Sequence, residues 1–61
     1  MFSQGDRVIA NGKSGRVAFI RYAPPDFSQV DAVSVILDER KHDPRYKGSI
    51  FPAEQVQKEL T

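Results

Sequence analysis

Asn11-Gly12 sits between two runs rich in β-branched and aromatic residues, DRVIA ahead of it and GRVAFIRY shortly after it. Both residues tolerate positive φ, which a two-residue hairpin turn demands, so an Asn-Gly pair between apolar runs is a strong hairpin signal. The longer stretch GDRVIANGKSGRVAFI, residues 5–20, also invites comparison with a phosphate-gripping glycine loop. The spacing argues against that. Gly12 belongs to the turn, Gly15 opens the second strand, and no helix follows to offer an anion-binding N-terminus.

The second run does not alternate cleanly. Strict period two puts Val17 and Phe19 on one face and Ile20 on the other. A bulge or bend after Phe19 lets Val17 and Ile20 share a core, and such bending curls short strands into barrels. YAPPDFSQVD, residues 22–31, reads as a loop, because Pro24 and Pro25 cannot sit in a central strand and favour an extended, polyproline-like path. AVSVILD is the clearest strand, with Val33, Val35 and Leu37 toward a core and Ser34 and Ile36 on the other face. ERKHDPR is polar and ends in an Asp-Pro turn signal. YKGSIF gives a fourth strand, with Gly48 permitting a kink.

The tail PAEQVQKELT admits two readings. A helix is suggested by Pro52 at a first helical position, Glu54 in the first turn, and Ala53, Val56 and Leu60 at helical spacing. The other reading is a 3₁₀ turn at Pro52–Gln55 followed by a closing strand at Val56–Glu59. Phe51 is a poor N-cap, which favours the turn and strand.

The order of signals predicts an all-β chain with a 3₁₀ turn or short helix near its C-terminus, in one domain over residues 1–61. At 61 residues folding hides only about 60% of the surface of the unfolded chain. There is no cysteine, so neither a disulfide nor a thiolate zinc site can staple it. A second copy could, so homo-oligomerisation is a physical expectation. MFSQGDRV lacks the basic and apolar segments of a secretory signal, and no run approaches the ~20 apolar residues of a membrane span. A soluble, cytoplasmic protein is expected.

Two stretches carry a family resemblance. GDRVIANGKSGRVAFI resembles the KOW motif of ribosomal and transcription-elongation proteins, and more weakly the opening of CAP-Gly domains. GSIFPAEQV, residues 48–56, resembles the end of eukaryotic Src-homology-3 domains, where a 3₁₀ turn leads into the last strand. The resemblance implies a five-stranded barrel of the Src-homology-3-like type and a binding role, on nucleic acid or a nucleoprotein machine for the KOW likeness. Gln55 stands where peptide-binding Src-homology-3 domains carry an aromatic, so proline-rich peptide recognition is not implied. The Gly-Lys-Asn-Asp-Gly groove signature of CAP-Gly domains is also missing.

Nine Lys and Arg against eight Asp and Glu leave a net charge of +1, so any electrostatic recognition must come from local clustering. Lys13 sits at the hairpin tip and Arg16 and Arg21 in the second strand. Arg40, Lys41, Arg45 and Lys47 gather in the third turn and fourth strand. With Tyr46 or Tyr22 as a stacking partner, a rim of these residues could hold a nucleic-acid backbone and a base. The alternative is solvated turn residues whose field Asp38, Glu39 and Asp43 largely cancel. Tyr22, Pro24, Pro25 and Phe27 form a second candidate, an aromatic-proline loop for contact with a protein partner. Its alternative is a Phe27 that folds back to plug the barrel, and the shortness of the chain favours plugging.

His42 beside Asp43 and Glu39 has no second His or Cys to complete a metal site, and no cofactor is expected. No nucleophile elbow, Walker-type loop or paired-carboxylate cleft is present, so no enzyme is expected. The type-II dihydrofolate reductases are barrels of this type that act as tetramers, but their Val-Gln-Ile-Tyr strand is absent here. Two functions stand: a nucleic-acid-binding module, or a protein-interaction or self-associating scaffold using the Tyr22–Phe27 loop or a strand edge.

Overall fold

A computed structural model describes residues 2–59. Five strands, β1 (Arg7–Ala10), β2 (Lys13–Tyr22), β3 (Val30–Leu37), β4 (Ser49–Pro52) and β5 (Val56–Lys58), form one antiparallel sheet in the order β4-β3-β2-β1-β5. Two 3₁₀ turns, η1 (Asp38–Arg40) and η2 (Ala53–Gln55), follow β3 and β4.

The Asn-Gly signal is realised as a two-residue hairpin. Ala10 pairs with Lys13, and Asn11 and Gly12 between them have φ of 52° and 81°. Positive φ at both central positions is the turn whose twist matches that of the flanking strands.

β2 carries the bend. Its register against β3 passes from Val17↔Val35 directly to Phe19↔Ser34, leaving Ala18 as the extra residue. The bulge therefore lies one position before Phe19 rather than after it. Its effect is the expected one: Val17 is buried, and Ile20 packs against the same core. Its other effect is to turn Phe19 out, 63% exposed. Before the bulge β2 pairs with both β1 and β3; beyond it β3 alone is the partner.

The core is Val8, Ala10, Val17, Val33, Val35, Leu37 and Val56, with Phe2, Ile20, Val30, Tyr46 and Phe51 packed around it. The expected Val33-Val35-Leu37 face is buried, and Ser34 and Ile36 occupy the opposite face. Fully burying each such valine contributes about 1.5–3 kcal/mol. Gly15 is required by packing: a Cβ there would stand 2.5 Å from Val35 Cγ1 and 2.7 Å from the Ile36 carbonyl oxygen.

The tail is the turn and strand, not the helix. η2 leads straight into β5, which pairs with β1 through Ala10↔Val56 and Val8↔Lys58. The Glu59 amide continues the contact by donating to the Arg7 carbonyl at 3.0 Å. Leu60, part of the helical reading, lies outside the described residues.

The sheet is not closed as a barrel: no ladder joins β4 to β5. These edge strands are nevertheless separated in sequence only by the three residues of η2. Four residue steps reach at most about 14 Å, so the sheet must curl far enough to bring its two edges near each other. Proline suits an edge strand, and Pro52 ends one.

Three local expectations change. The fourth strand begins at Ser49, because Gly48 takes a φ of 113° and ends the extended path there. The loop between β2 and β3 is shorter than read, residues 23–29, and it turns instead of running extended through its prolines. The Phe27 amide donates to the Ala23 carbonyl at 2.9 Å, and the Ala23 amide to the Gln29 carbonyl at 2.8 Å, closing the loop on itself. Finally, Phe27 does not plug the sheet. It is 61% exposed with φ of 58°. The partly buried side chains packed against the core are Phe2, Ile20, Val30, Tyr46 and Phe51.

Candidate nucleic-acid interface

The site gathers where β1, β2 and η1 meet. Arg7 and Arg16 are register partners across the hairpin. Ile36 pairs with Arg16 from the other side, and β3 then leads into η1, bringing Asp38 and Lys41 over the end of the sheet. Arg7, Arg16, Val17, Ile36, Asp38 and Lys41 line an open surface pocket of about 290 Å³.

The charges in this pocket are unequal. Arg7 grips Asp38 with both terminal nitrogens, Nη1 to Oδ1 at 2.8 Å and Nη2 to Oδ2 at 2.5 Å. Its Nη2 also lies 3.7 Å from Glu59. The hydrogen bonds from Arg7 hold the Asp38 carboxyl below the usual carboxylate range, and the nearby charges of Arg7, Lys41 and Arg16 act in the same direction. The same pair raises Arg7. Arg16 donates one nitrogen to the Gly5 carbonyl at 2.8 Å. Neither Arg16 nor Lys41 has an ion-pair partner among the described residues. The single carboxylate of the pocket is thus taken up by Arg7, and two cations are left facing solvent.

The other basic residues separate around this centre. Lys13 pairs with Glu39 at 2.7 Å, beside a shallow cleft that also includes Ser14 and Asp38. The Arg40 guanidinium lies over the Tyr46 ring, 4.4 Å from its centroid. Tyr46 is fixed from its other end. Its Oη accepts from the Leu37 amide at 3.1 Å, donates to the Val35 carbonyl at 3.1 Å, and lies 2.9 Å from Ser49 Oγ. Tyr46 therefore pins the segment after η1 onto β3, with one face of its ring covered by Arg40.

Arg45 and Lys47 are exposed on that same segment, where the Arg45 amide donates to Asp43 Oδ1 at 2.9 Å. Arg21 stands apart, at the far end of β2, held by Asp31 through Nε at 2.9 Å and Nη2 at 2.8 Å.

The structure thus brings Arg16 and Lys41 together, places Lys13, Arg40 and Tyr46 around η1, and leaves Arg21 at a distance. Sequence reasoning passed over two exposed or site residues, Arg7 in this pocket and Phe19 on the surface of β2 beyond it. Arg7 was hidden because it reads as an ordinary residue of a short strand; its spacing to Arg16 across the Asn-Gly turn was the available signal. Phe19 was hidden by the bulge, which reversed the face it occupies.

The second candidate group is exposed as a unit. Tyr22 is 41% and Phe27 61% exposed, and Pro24 and Pro25 are exposed between them. Asp26 braces the loop by accepting from the Ser28 amide at 3.1 Å and its hydroxyl at 2.9 Å, which draws the Asp26 carboxyl below its usual range.

No family model, curated protein or solved structure matches the chain. Among the described residues no helix is long and apolar enough to cross a membrane, and no group of three or more His, Cys, Asp or Glu is arranged to hold a metal ion.

Proposed function

We propose that this chain is a non-enzymatic binding module, a small barrel of the Src-homology-3-like type akin to KOW domains, that contacts nucleic acid or a nucleoprotein through the surface around η1. The observation that carries the reading is the pocket of Arg7, Arg16 and Lys41, in which one carboxylate is already engaged and two cations are not. A phosphate oxygen would complete the hydrogen bonding of Arg16 and give Lys41 a counter-charge. Lys13, Arg40, Arg45 and Lys47 extend the same end of the molecule as weaker, screened contributors. The barrel reading is supported by the curl that brings β4 and β5 within three residues of each other.

With a net charge of +1, binding is local and modest in strength, and it falls as salt rises. The test is a fluorescence-anisotropy titration of a labelled 12-nucleotide single strand at about 50 mM and about 200 mM salt. Saturable binding at the lower salt that weakens at the higher one supports the reading. No binding at the lower salt overturns it.

A second reading is favoured by one observation, the exposed Phe27 held in a left-handed conformation on a closed loop. A rigid aromatic presented in this way suits a protein partner with an apolar pocket.

A further inference from the structure

The outer face of β2 carries a pattern that its sequence conceals. Val17 and Ile20 point into the core, so Arg16, Phe19 and Arg21 point away from it, and the bulge at Ala18 brings all three to one side. Phe19 lies just beyond the bulge, where β2 pairs with β3 alone. Its partner across the ladder is Ser34, and Ser34 in turn pairs with Ile50, which is 68% exposed. Phe19, Arg21, Ala32, Ser34 and Ile50 line one shallow apolar depression. Phe19 is 63% exposed there.

We propose that this face is a stacking platform for single-stranded nucleic acid, with Phe19 taking an unpaired base and Arg16, together with Lys41, taking the adjacent phosphates. The inference rests on the nucleic-acid reading of the preceding subsection and narrows it to a ligand class. Three features point to it together. An exposed aromatic ring on the sheet surface is a stacking partner that any base can cover. A cation without an ion-pair partner among the described residues, Arg16, precedes it on the same strand, whereas Arg21, two residues on at about 7 Å, is held by Asp31. Arg16 also lines the pocket with Lys41, and its ladder partner Ile36 stands two residues from Ser34, the partner of Phe19. A duplex keeps its base faces stacked inside, so the ring selects single strands. Ile50 extends the apolar surface beneath a neighbouring sugar or base.

The experiment measures anisotropy with labelled dT12 and with a 12-base-pair duplex, for the wild type, Phe19→Ala, Phe19→Trp and the double variant Arg16→Gln/Lys41→Gln. Circular dichroism confirms folding of each. The wild type is expected to prefer dT12. Phe19→Ala is expected to weaken dT12 binding roughly tenfold with an unchanged salt slope, since a stacked base releases no counterions. Phe19→Trp is expected to retain binding and to show quenched indole emission on saturation.

Wild-type binding by Phe19→Ala, or equal affinity for duplex and single strand, overturns the platform. If Phe19→Ala binds normally while Arg16→Gln/Lys41→Gln does not, the platform fails and the phosphate-binding reading stands. If the wild type binds neither nucleic acid, both fail. Sedimentation of wild type and Phe19→Ala reports the competing occupant, a second copy of the chain. Self-association lost in Phe19→Ala, with dT12 binding intact, likewise overturns the platform.

Discussion

Arg7 on β1 and Asp38 in η1 form a two-pronged ion pair, with Nη1 to Oδ1 at 2.8 Å, across a separation of 31 residues. The pair ties the first strand to the turn after the third and so braces the curl of the sheet. It also decides the electrostatics of the candidate site. By occupying both carboxylate oxygens, Arg7 leaves Arg16 and Lys41 uncompensated in the pocket.

The pair predicts a specific acid response. Asp38 titrates below its ordinary value of 3.8 in the folded chain, chiefly because of the hydrogen bonds from Arg7. A depressed carboxyl stabilises the fold fully above its unfolded pKa and loses that contribution as pH falls through the lower, folded value. Asp38→Asn should therefore be less stable than the wild type at pH 7, and the gap should close below about pH 3.8. Melting temperatures of both proteins from pH 7 to pH 2 check this. The depressed Asp26 is present in both and cancels. A gap that stays constant across the range would contradict the assignment.

Gly15 should resist substitution although it lies outside any turn. A methyl group there meets Val35 Cγ1 and the Ile36 carbonyl, and the backbone oxygen belongs to a paired strand that cannot step aside. Gly15→Ala is expected to cost about 1–3 kcal/mol, the usual range for overpacking. Its exposed neighbour Ser14→Ala serves as the control and should change little. Chemical denaturation midpoints of the two variants settle the comparison.

Phe27 should be replaceable. An exposed ring at φ of 58° contributes little packing and carries the strain of a left-handed L-residue, about 1–2 kcal/mol. Asparagine tolerates that conformation better. Phe27→Asn is expected to leave stability unchanged or to raise it. A phenylalanine that plugged the core would instead cost about 3–5 kcal/mol on removal of its ring. Thermal denaturation distinguishes the two, and a large loss would mean that the ring is buried.

Much of the fold was legible because local rules and tertiary packing agree. Asn11-Gly12 demanded positive φ and received it. Val33, Val35 and Leu37 alternate without interruption. Phe51 could not cap a helix, and the chain formed a 3₁₀ turn and β5 instead. One misreading lies where a single residue changes the register. Ala18 as the bulge, rather than a residue after Phe19, reverses the face of Phe19 and hides a surface aromatic among core candidates. The site was half legible. Spacing showed a basic cluster, but it could not show which carboxylate neutralises which cation. Lys13 pairs with Glu39 and Arg21 with Asp31, while Arg7 occupies the one carboxylate of the pocket shared with Arg16 and Lys41.

The most direct test of the central claim is the salt dependence of dT12 binding for the wild type and for Arg16→Gln/Lys41→Gln. Each phosphate contact on a single strand contributes about 0.7 to the slope of log K against log salt. Loss of two contacts should flatten the slope by about 1.4 and weaken binding at low salt. Equal slopes and equal affinities in the two proteins would contradict the assignment of Arg16 and Lys41 to phosphate binding.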